Sequence, residues 1–139
     1  MQTNQVEYER LIFRGIYFMS KKILIADDYD DNRECMKFLL QSFGYEVLEA
    51  IDGLEAIECI KQQDPDLVLM DVSMPNMDGF TATRIIREFQ EKSKLPIIAV
   101  TAHGKQIYQQ AIESGCNDLI AKPIDFNTLQ PVIEQYLIS

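Results

Sequence analysis

The chain has 139 residues, 47% hydrophobic and 25% charged, which suits one globular domain and leaves no room for a second core of ordinary size. Its 22 acidic against 13 basic side chains give a net charge of −9, which argues against a nucleic-acid binder, where a basic face is expected. Residues 1–20 carry Glu7, Glu9, Arg10 and Arg14 and sum to zero, so the whole acidic excess belongs to residues 21–139.

In chain order, residues 1–20 come first. The apolar stretch Leu11–Met19 is well short of the roughly 20 residues that span a bilayer. It is broken by Arg14 and preceded by acids, so it is also a poor signal peptide. Met19-Ser20-Lys21-Lys22 reads as a natural start. The leader is therefore expected to be a mobile extension or the product of an upstream start, dispensable for folding, with a partner-docking segment as the alternative.

From Lys22 onward, short apolar runs alternate with helical periodicity. Ile23–Ala26, Leu67–Met70 and Ile97–Val100 are each four apolar residues without a polar break, as strands buried on both faces require. Glu46–Ala50 and Asp118–Ala121 are shorter or partly polar and read as edge strands. After the first strand, Cys35, Met36, Leu39, Leu40 and Phe43 recur at helical spacing and Gly44 stops the helix. Asp52 and Glu55 form a capping box ahead of Ala56, Ile57 and Ile60. Asp78 is placed to cap a helix bearing Ala82, Ile85, Ile86 and Phe89. Ile107, Tyr108, Ala111 and Ile112 mark a fourth helix ended by Gly115. Leu129, Val132, Ile133, Tyr136 and Leu137 mark a fifth, with Pro131 expected near its start or at a kink. Five βα units in succession predict a doubly wound α/β sheet.

The three cysteines, Cys35, Cys59 and Cys116, are odd in number, far apart and without a C-x-x-C pair. They read as three reduced, buried thiols of a cytoplasmic protein rather than metal ligands. His103 is the only histidine, which excludes a His-rich metal centre; it reads as a solvated loop residue.

Ligands of an open parallel sheet bind beyond the carboxyl ends of its strands. The residues there are Asp27 and Asp28 after the first apolar run, Asp71 after the third, Thr101 after the fourth, and Lys122 and Pro123 after the fifth. Any one of them could be a helix cap or turn former, but three carboxylates, a hydroxyl and an ammonium together point to a site. Crowded carboxylates repel one another unless a cation is present, and an all-oxygen set suits Mg²⁺ or Mn²⁺ rather than Zn²⁺. With a lysine and a hydroxyl nearby, such a site receives phosphoryl oxygens, and one carboxylate can act as nucleophile to give an aspartyl-phosphate.

These motifs carry a resemblance. Asp27-Asp28, Met70-Asp71-Val72-Ser73-Met74-Pro75-Asn76-Met77-Asp78-Gly79, Val100-Thr101-Ala102 and Ala121-Lys122-Pro123 make residues 21–139 similar to the receiver domain of a two-component response regulator, of the chemotaxis-regulator kind. The resemblance implies a flavodoxin-like (βα)5 fold, a five-stranded parallel sheet in the order 2-1-3-4-5. It implies that Asp71 accepts a phosphoryl group from a phosphohistidine of a sensor kinase or histidine phosphotransfer protein. Asp28 and Asp71 would then hold Mg²⁺ with the backbone carbonyl of Ser73, and Asp27 partly through water. Thr101 would bond one phosphoryl oxygen and Lys122 another, and the Lys122–Pro123 peptide would be cis. The implied molecule is a switch with limited self-phosphorylating and self-dephosphorylating chemistry, not a multiple-turnover enzyme. It would signal by protein contact, as a phosphorylation-dependent homodimer or through another target, without nucleic acid or membrane. The alternative is the receiver segment of a longer protein such as a hybrid sensor kinase, which the wording of Met70–Ile86 also resembles.

One position departs from the family. Leu119 stands where relatives often have Tyr or Phe, three residues before the site lysine, which puts the usual aromatic switch in doubt. Other classes fit less well. Haloacid-dehalogenase-like enzymes carry D-x-D-x-[TV] after the first strand, which neither Asp27-Asp28-Tyr29 nor Asp71-Val72-Ser73 satisfies. A flavin carrier would need a Ser/Thr/Gly-rich phosphate loop where Asp27–Asp31 is strongly acidic, and no P-loop is present. A phosphorylation-independent relative would lack an acid or the lysine, and none is missing.

Overall fold

The unbroken apolar runs become strands whose residues are buried on both faces. The computed structural model describes residues 21–137 together with Gln5; apart from that residue, the expectations for residues 1–20 lie outside the described part. Strands β1 (Lys22–Ala26), β2 (Glu46–Ala50), β3 (Leu67–Asp71), β4 (Ile97–Thr101) and β5 (Asp118–Ala121) alternate with helices α1 (Asp30–Ser42), α2 (Gly53–Gln63), α3 (Gly79–Arg87), α4 (Tyr108–Ser114) and α5 (Phe126–Leu137). The sheet is parallel throughout, in the order β2-β1-β3-β4-β5, and the two partly polar strands are its edges as expected. This is the flavodoxin-like, doubly wound arrangement, with β3 at the centre.

Strand alternation divides the core in two. Leu24, Val68, Met70, Ile97 and Ala99 face a cluster with Ala56 and Ile60 of α2, Phe80 and Ile86 of α3, and Ala111 of α4. Ile23, Ile25, Leu67, Leu69, Ile98, Val100 and Ile120 face Leu40 of α1 and Leu129, Ile133 and Leu137 of α5. Each fully buried Leu or Ile contributes roughly 1.5–3 kcal/mol relative to exposure, so both faces are needed to fix the sheet.

Three local expectations are adjusted. The fourth helical segment begins as a tight 3₁₀ turn, Gly104–Ile107, and becomes α-helical only at Tyr108. Gly104 has φ +72°, so the chain reaches that turn through a left-handed residue rather than a helical one. Of the two placements expected for Pro131, the start of α5 is excluded, since it lies within the helix. Cys35 is exposed, which corrects the expectation of three buried thiols; Cys59 and Cys116 are buried. The inward stripe of α1 runs through Leu40, flanked by the partly buried Met36 and Phe43, and Cys35 sits at its margin.

The capping box at α2 forms in a modified way, since Glu55 reaches back to Ile51 rather than to the N-cap Asp52 itself. Asp52 Oδ1 accepts the Glu55 N–H at 2.9 Å, and Glu55 Oε1 accepts the Ile51 N–H at 3.1 Å. The Glu55 N–H, and after it the Asn76 amide, hold the Asp52 carboxyl below the ordinary Asp pKa. A depressed pKa gives stability that is full above the unfolded value and lost as pH falls through the folded one. Asp52→Ala is therefore expected to cost about 1 kcal/mol at neutral pH, the usual worth of such a cap. In urea titrations, the difference between variant and wild type should narrow as pH is lowered below about 4. A pH-independent difference would disprove the carboxylate's role.

Candidate functional site

Asp71 is the last residue of the central strand β3 and Thr101 the last of β4, while Asp27 follows β1 and Lys122 follows β5. The parallel register brings these strand ends to one edge of the sheet, with Ala26 opposite Met70, Asp71 opposite Val100 and Thr101 opposite Ala121. One carboxylate oxygen each of Asp27, Asp28 and Asp71 lies within 4.8 Å of the others. Lys122 Nζ donates to Asp71 Oδ2 at 2.8 Å and stands 3.6 Å from Asp27 Oδ2. The Ser73 N–H donates to Asp71 Oδ1 at 3.0 Å, and the Tyr29 N–H to Asp27 Oδ1 at 2.9 Å. Asp71 is only 4% exposed. The Lys122–Pro123 peptide is cis, as the resemblance implied.

The electrostatics follow from burial and crowding. Burial pushes the Asp71 carboxyl above its ordinary pKa; Lys122 and the Ser73 N–H pull it back in part, and Asp27 adds to the rise. Burial alone would lower the Lys122 ammonium, but Asp71 and Asp27 outweigh it and raise the pKa. Lys122 thus pairs with two of three clustered carboxylates, a site short of positive charge. Asp28 Oδ1 is buried and has no hydrogen-bond partner. An orphaned carboxylate oxygen beside two other carboxylates is a donor set that fits a hard divalent cation.

The loop between β3 and α3 is held close to Asp71. The Gly79 N–H donates to the Val72 carbonyl at 3.0 Å, and a Cβ on Gly79 would lie 2.2 Å from the Asp71 carbonyl oxygen. Only glycine permits that approach. Asp78 caps α3 through the Thr81 N–H at 2.9 Å. Asn76 has φ +65°, a conformation that Asn tolerates better than most residues, and its Nδ2 donates to Asp52 Oδ2 at 2.9 Å.

Of the residues expected at the site, Asp27, Asp28, Asp71 and Lys122 come together, with the Ser73 backbone beside Asp71. Thr101 is buried at the same sheet edge, but its Oγ1 accepts the N–H of the exposed His103 at 2.9 Å. Alternation gives the reason. Asp71 continues the side of β3 that bears Leu67 and Leu69, toward α1 and α5, whereas Thr101 continues the opposite side of β4, with Ile97 and Ala99. Leu119 packs with that same opposite cluster. Sequence reasoning missed Arg33, whose Nη1 donates to the Asp27 carbonyl at 2.8 Å, and the bond between Asp52 and Asn76. The helical phase of Arg33 and the turn composition around Asn76 were visible, but neither names its partner. An apolar cavity of about 510 Å³ also reaches Asp27, Asp71 and Lys122 from between α1 and the β5–α5 loop, with Cys35 and Met36 in its wall.

Residues 23–134 match the family described as the response regulator receiver domain. The polar-differentiation response regulator DivK of Brucella ovis is 32% identical over 120 residues, covering 86% of this chain and 98% of that protein. The receiver domain of sensor histidine kinase PA1611 from Pseudomonas aeruginosa, solved with a magnesium ion coordinated in its active site cleft, is 34% identical with a TM-score of 0.80, covering 86% of this chain and 98% of that one. The Vibrio cholerae chemotaxis protein CheY4 is 30% identical with a TM-score of 0.79, covering 84% and 98%.

Proposed function

Because this chain belongs to the response regulator receiver domain family, we propose that it is the phosphoacceptor switch of a two-component phosphorelay, with Asp71 as the residue that receives the phosphoryl group. One observation carries the reading. Asp71 ends the central strand, buried, with one carboxylate oxygen on Lys122, the other on the Ser73 N–H, and two further carboxylates alongside. Asp27, Asp28, Asp71 and the Ser73 carbonyl would hold Mg²⁺, with Mn²⁺ as a substitute. When bound, the ion neutralises the carboxylates and the incoming phosphoryl oxygens.

In the transfer, an Asp71 carboxylate oxygen forms the new bond to phosphorus as the bond from phosphorus to the donor's histidine nitrogen breaks, and the imidazole keeps the electron pair. Lys122 is already within bonding distance of Asp71 and neutralises a phosphoryl oxygen. The Thr101 hydroxyl turns from the His103 N–H toward a second phosphoryl oxygen, drawing the loop ahead of α4 with it. Leu119 lies on the same face as Thr101 and answers that movement by apolar packing, without the hydroxyl of an aromatic switch. The chemistry is one phosphorylation and a slow self-dephosphorylation per cycle. The donor is a sensor kinase or histidine phosphotransfer protein in the cytoplasm, and the output is protein contact, including a homodimer formed on phosphorylation. Among the described residues no helix is long and apolar enough to cross a membrane.

The test is incubation with acetyl phosphate. Intact mass should show one phosphoryl group added, and only with Mg²⁺ or Mn²⁺ present. Millimolar Mg²⁺ should also raise the melting temperature of the wild type, because a cation that binds the folded state stabilises it by mass action. Asp28→Ala should flatten that response, and an equal rise in the variant would argue against the cation site. A second reading, the receiver segment of a longer sensor kinase, draws on the similarity to the kinase receiver domain from Pseudomonas aeruginosa. Whether the reading frame continues past Ser139 separates the two.

A further inference from the structure

We infer that Asp52 and Asn76 form a clamp that positions the β3–α3 loop over the site, which makes them positioning residues for the chemistry of Asp71. The inference rests on the phosphoacceptor reading, since the loop matters through the Ser73 carbonyl as a cation ligand. From the β3 side, residues 72–78 are tied at their two ends, by the Ser73 N–H on Asp71 Oδ1 and by the Gly79 N–H on the Val72 carbonyl. Between those ends, Met74 and Met77 lay flexible side chains on the core, which hold the loop down without fixing its direction.

The crown of the loop is held from another element. Asn76 Nδ2 donates to Asp52 Oδ2 at 2.9 Å, and the Gly53 N–H donates to the Met77 carbonyl at 3.1 Å. A Cβ on Gly53 would lie 2.7 Å from that carbonyl oxygen, so the β2–α2 turn and the loop touch backbone to backbone. Asp52 is a rigid anchor. It is 6% exposed, and its other oxygen is committed to the Glu55 N–H at the start of α2. The bond to Asn76 is charge-assisted and reaches from a fixed helix start to a residue with φ +65°. Without it only the Gly53–Met77 bond holds the crown from α2, and the stretch from Ser73 to Asn76, with the Ser73 carbonyl in it, gains freedom.

Outer-shell partners of a metal ligand typically cost about 10–100-fold in metal affinity when removed, and a clamp two steps from the ion belongs at about tenfold. Two substitutions isolate it. Asp52→Ser keeps a good cap on α2 but is too short to reach Asn76. Asn76→Gly removes the amide and takes a positive φ freely. In the full chain, each should weaken Mg²⁺ binding by about tenfold in calorimetry and slow acetyl-phosphate incorporation at fixed Mg²⁺. The metal-free melting temperature of Asn76→Gly should fall only by the lost bond to Asp52, whereas its rise on adding Mg²⁺ should be clearly smaller than that of wild type, which a purely structural role would not produce. The double variant should be no worse than either single one, because one contact is lost in all three. Single variants within about twofold of wild type, or effects that add in the double variant, would overturn the clamp. Wild type that takes up neither Mg²⁺ nor a phosphoryl group would instead overturn the phosphoacceptor reading, and the clamp with it.

Discussion

Asp71→Asn is expected to abolish phosphoryl incorporation from acetyl phosphate and, in metal-free buffer, to raise the melting temperature. The first effect follows from chemistry. The amide has no anionic oxygen to attack phosphorus, and neither neighbouring carboxylate combines the central position of Asp71 with its contacts to Lys122 and the Ser73 N–H. The second follows from burial. The Asp71 carboxyl is pushed above its ordinary pKa, so its ionised form is disfavoured in the fold at neutral pH, and it stands beside Asp27 and Asp28. Replacing it with a neutral group of the same shape removes that penalty. The loss of the Lys122 partner offsets part of the gain, and Asp27, 3.6 Å away, remains for the ammonium. Intact mass and thermal melts without Mg²⁺ check both effects. Incorporation that persists in the variant would move the phosphoacceptor elsewhere, and a lower melting temperature would show that the ion pair with Lys122 outweighs the crowding.

Gly79→Ala is expected to destabilise the domain by about 2 kcal/mol or more and to slow phosphorylation with it. Glycine inside a helix is ordinarily improved by alanine, by roughly 0.5–1 kcal/mol. Here the sign reverses, because the added methyl would lie 2.2 Å from the Asp71 carbonyl oxygen and 2.8 Å from Met70 Cγ. The first of these is backbone in the central strand and cannot swing aside, so the end of β3 must move. The carboxylate moves with it, and a displacement of about 1 Å in a reacting group can cost about a hundredfold in rate. Urea midpoints and the rate of acetyl-phosphate incorporation measure the two effects. Stability within about 0.5 kcal/mol of wild type would show that α3 can retreat from the strand at little cost.

The two effects differ in how far the sequence reveals them. Asp71 could be read as a site residue from the chain alone, because an unbroken apolar run specifies a strand buried on both faces and its carboxyl end is where a parallel sheet binds ligands; its role as acceptor came from the resemblance. The same logic placed Asp27, Asp28, Thr101 and Lys122 at one sheet edge. Asp52 and Asp78 were legible as caps, since helix capping is local and spans three residues. Local chemistry fixes such features before any tertiary contact forms.

What the chain could not disclose was which face each side chain takes and which loop meets which. Thr101 ends β4 and Lys122 follows β5, yet one continues the side of the sheet toward α2, α3 and α4 and the other bonds Asp71, because alternation has a period of two and the two positions differ in phase. Cys35 reads as core by helical spacing and lies exposed, since spacing gives a stripe but not its width. Gly79 has turn composition in the sequence; only the packing of α3 on β3 makes it indispensable. Asp52 and Asn76 lie 24 residues apart, and nothing local links them until the parallel crossover sets the two loops side by side. The sequence by itself determined the strands, the order of the elements and which residues follow the strand ends, because periodicity and capping act over a few residues. The tertiary structure decided the contacts among those residues, because they depend on register and helix placement that no single segment contains.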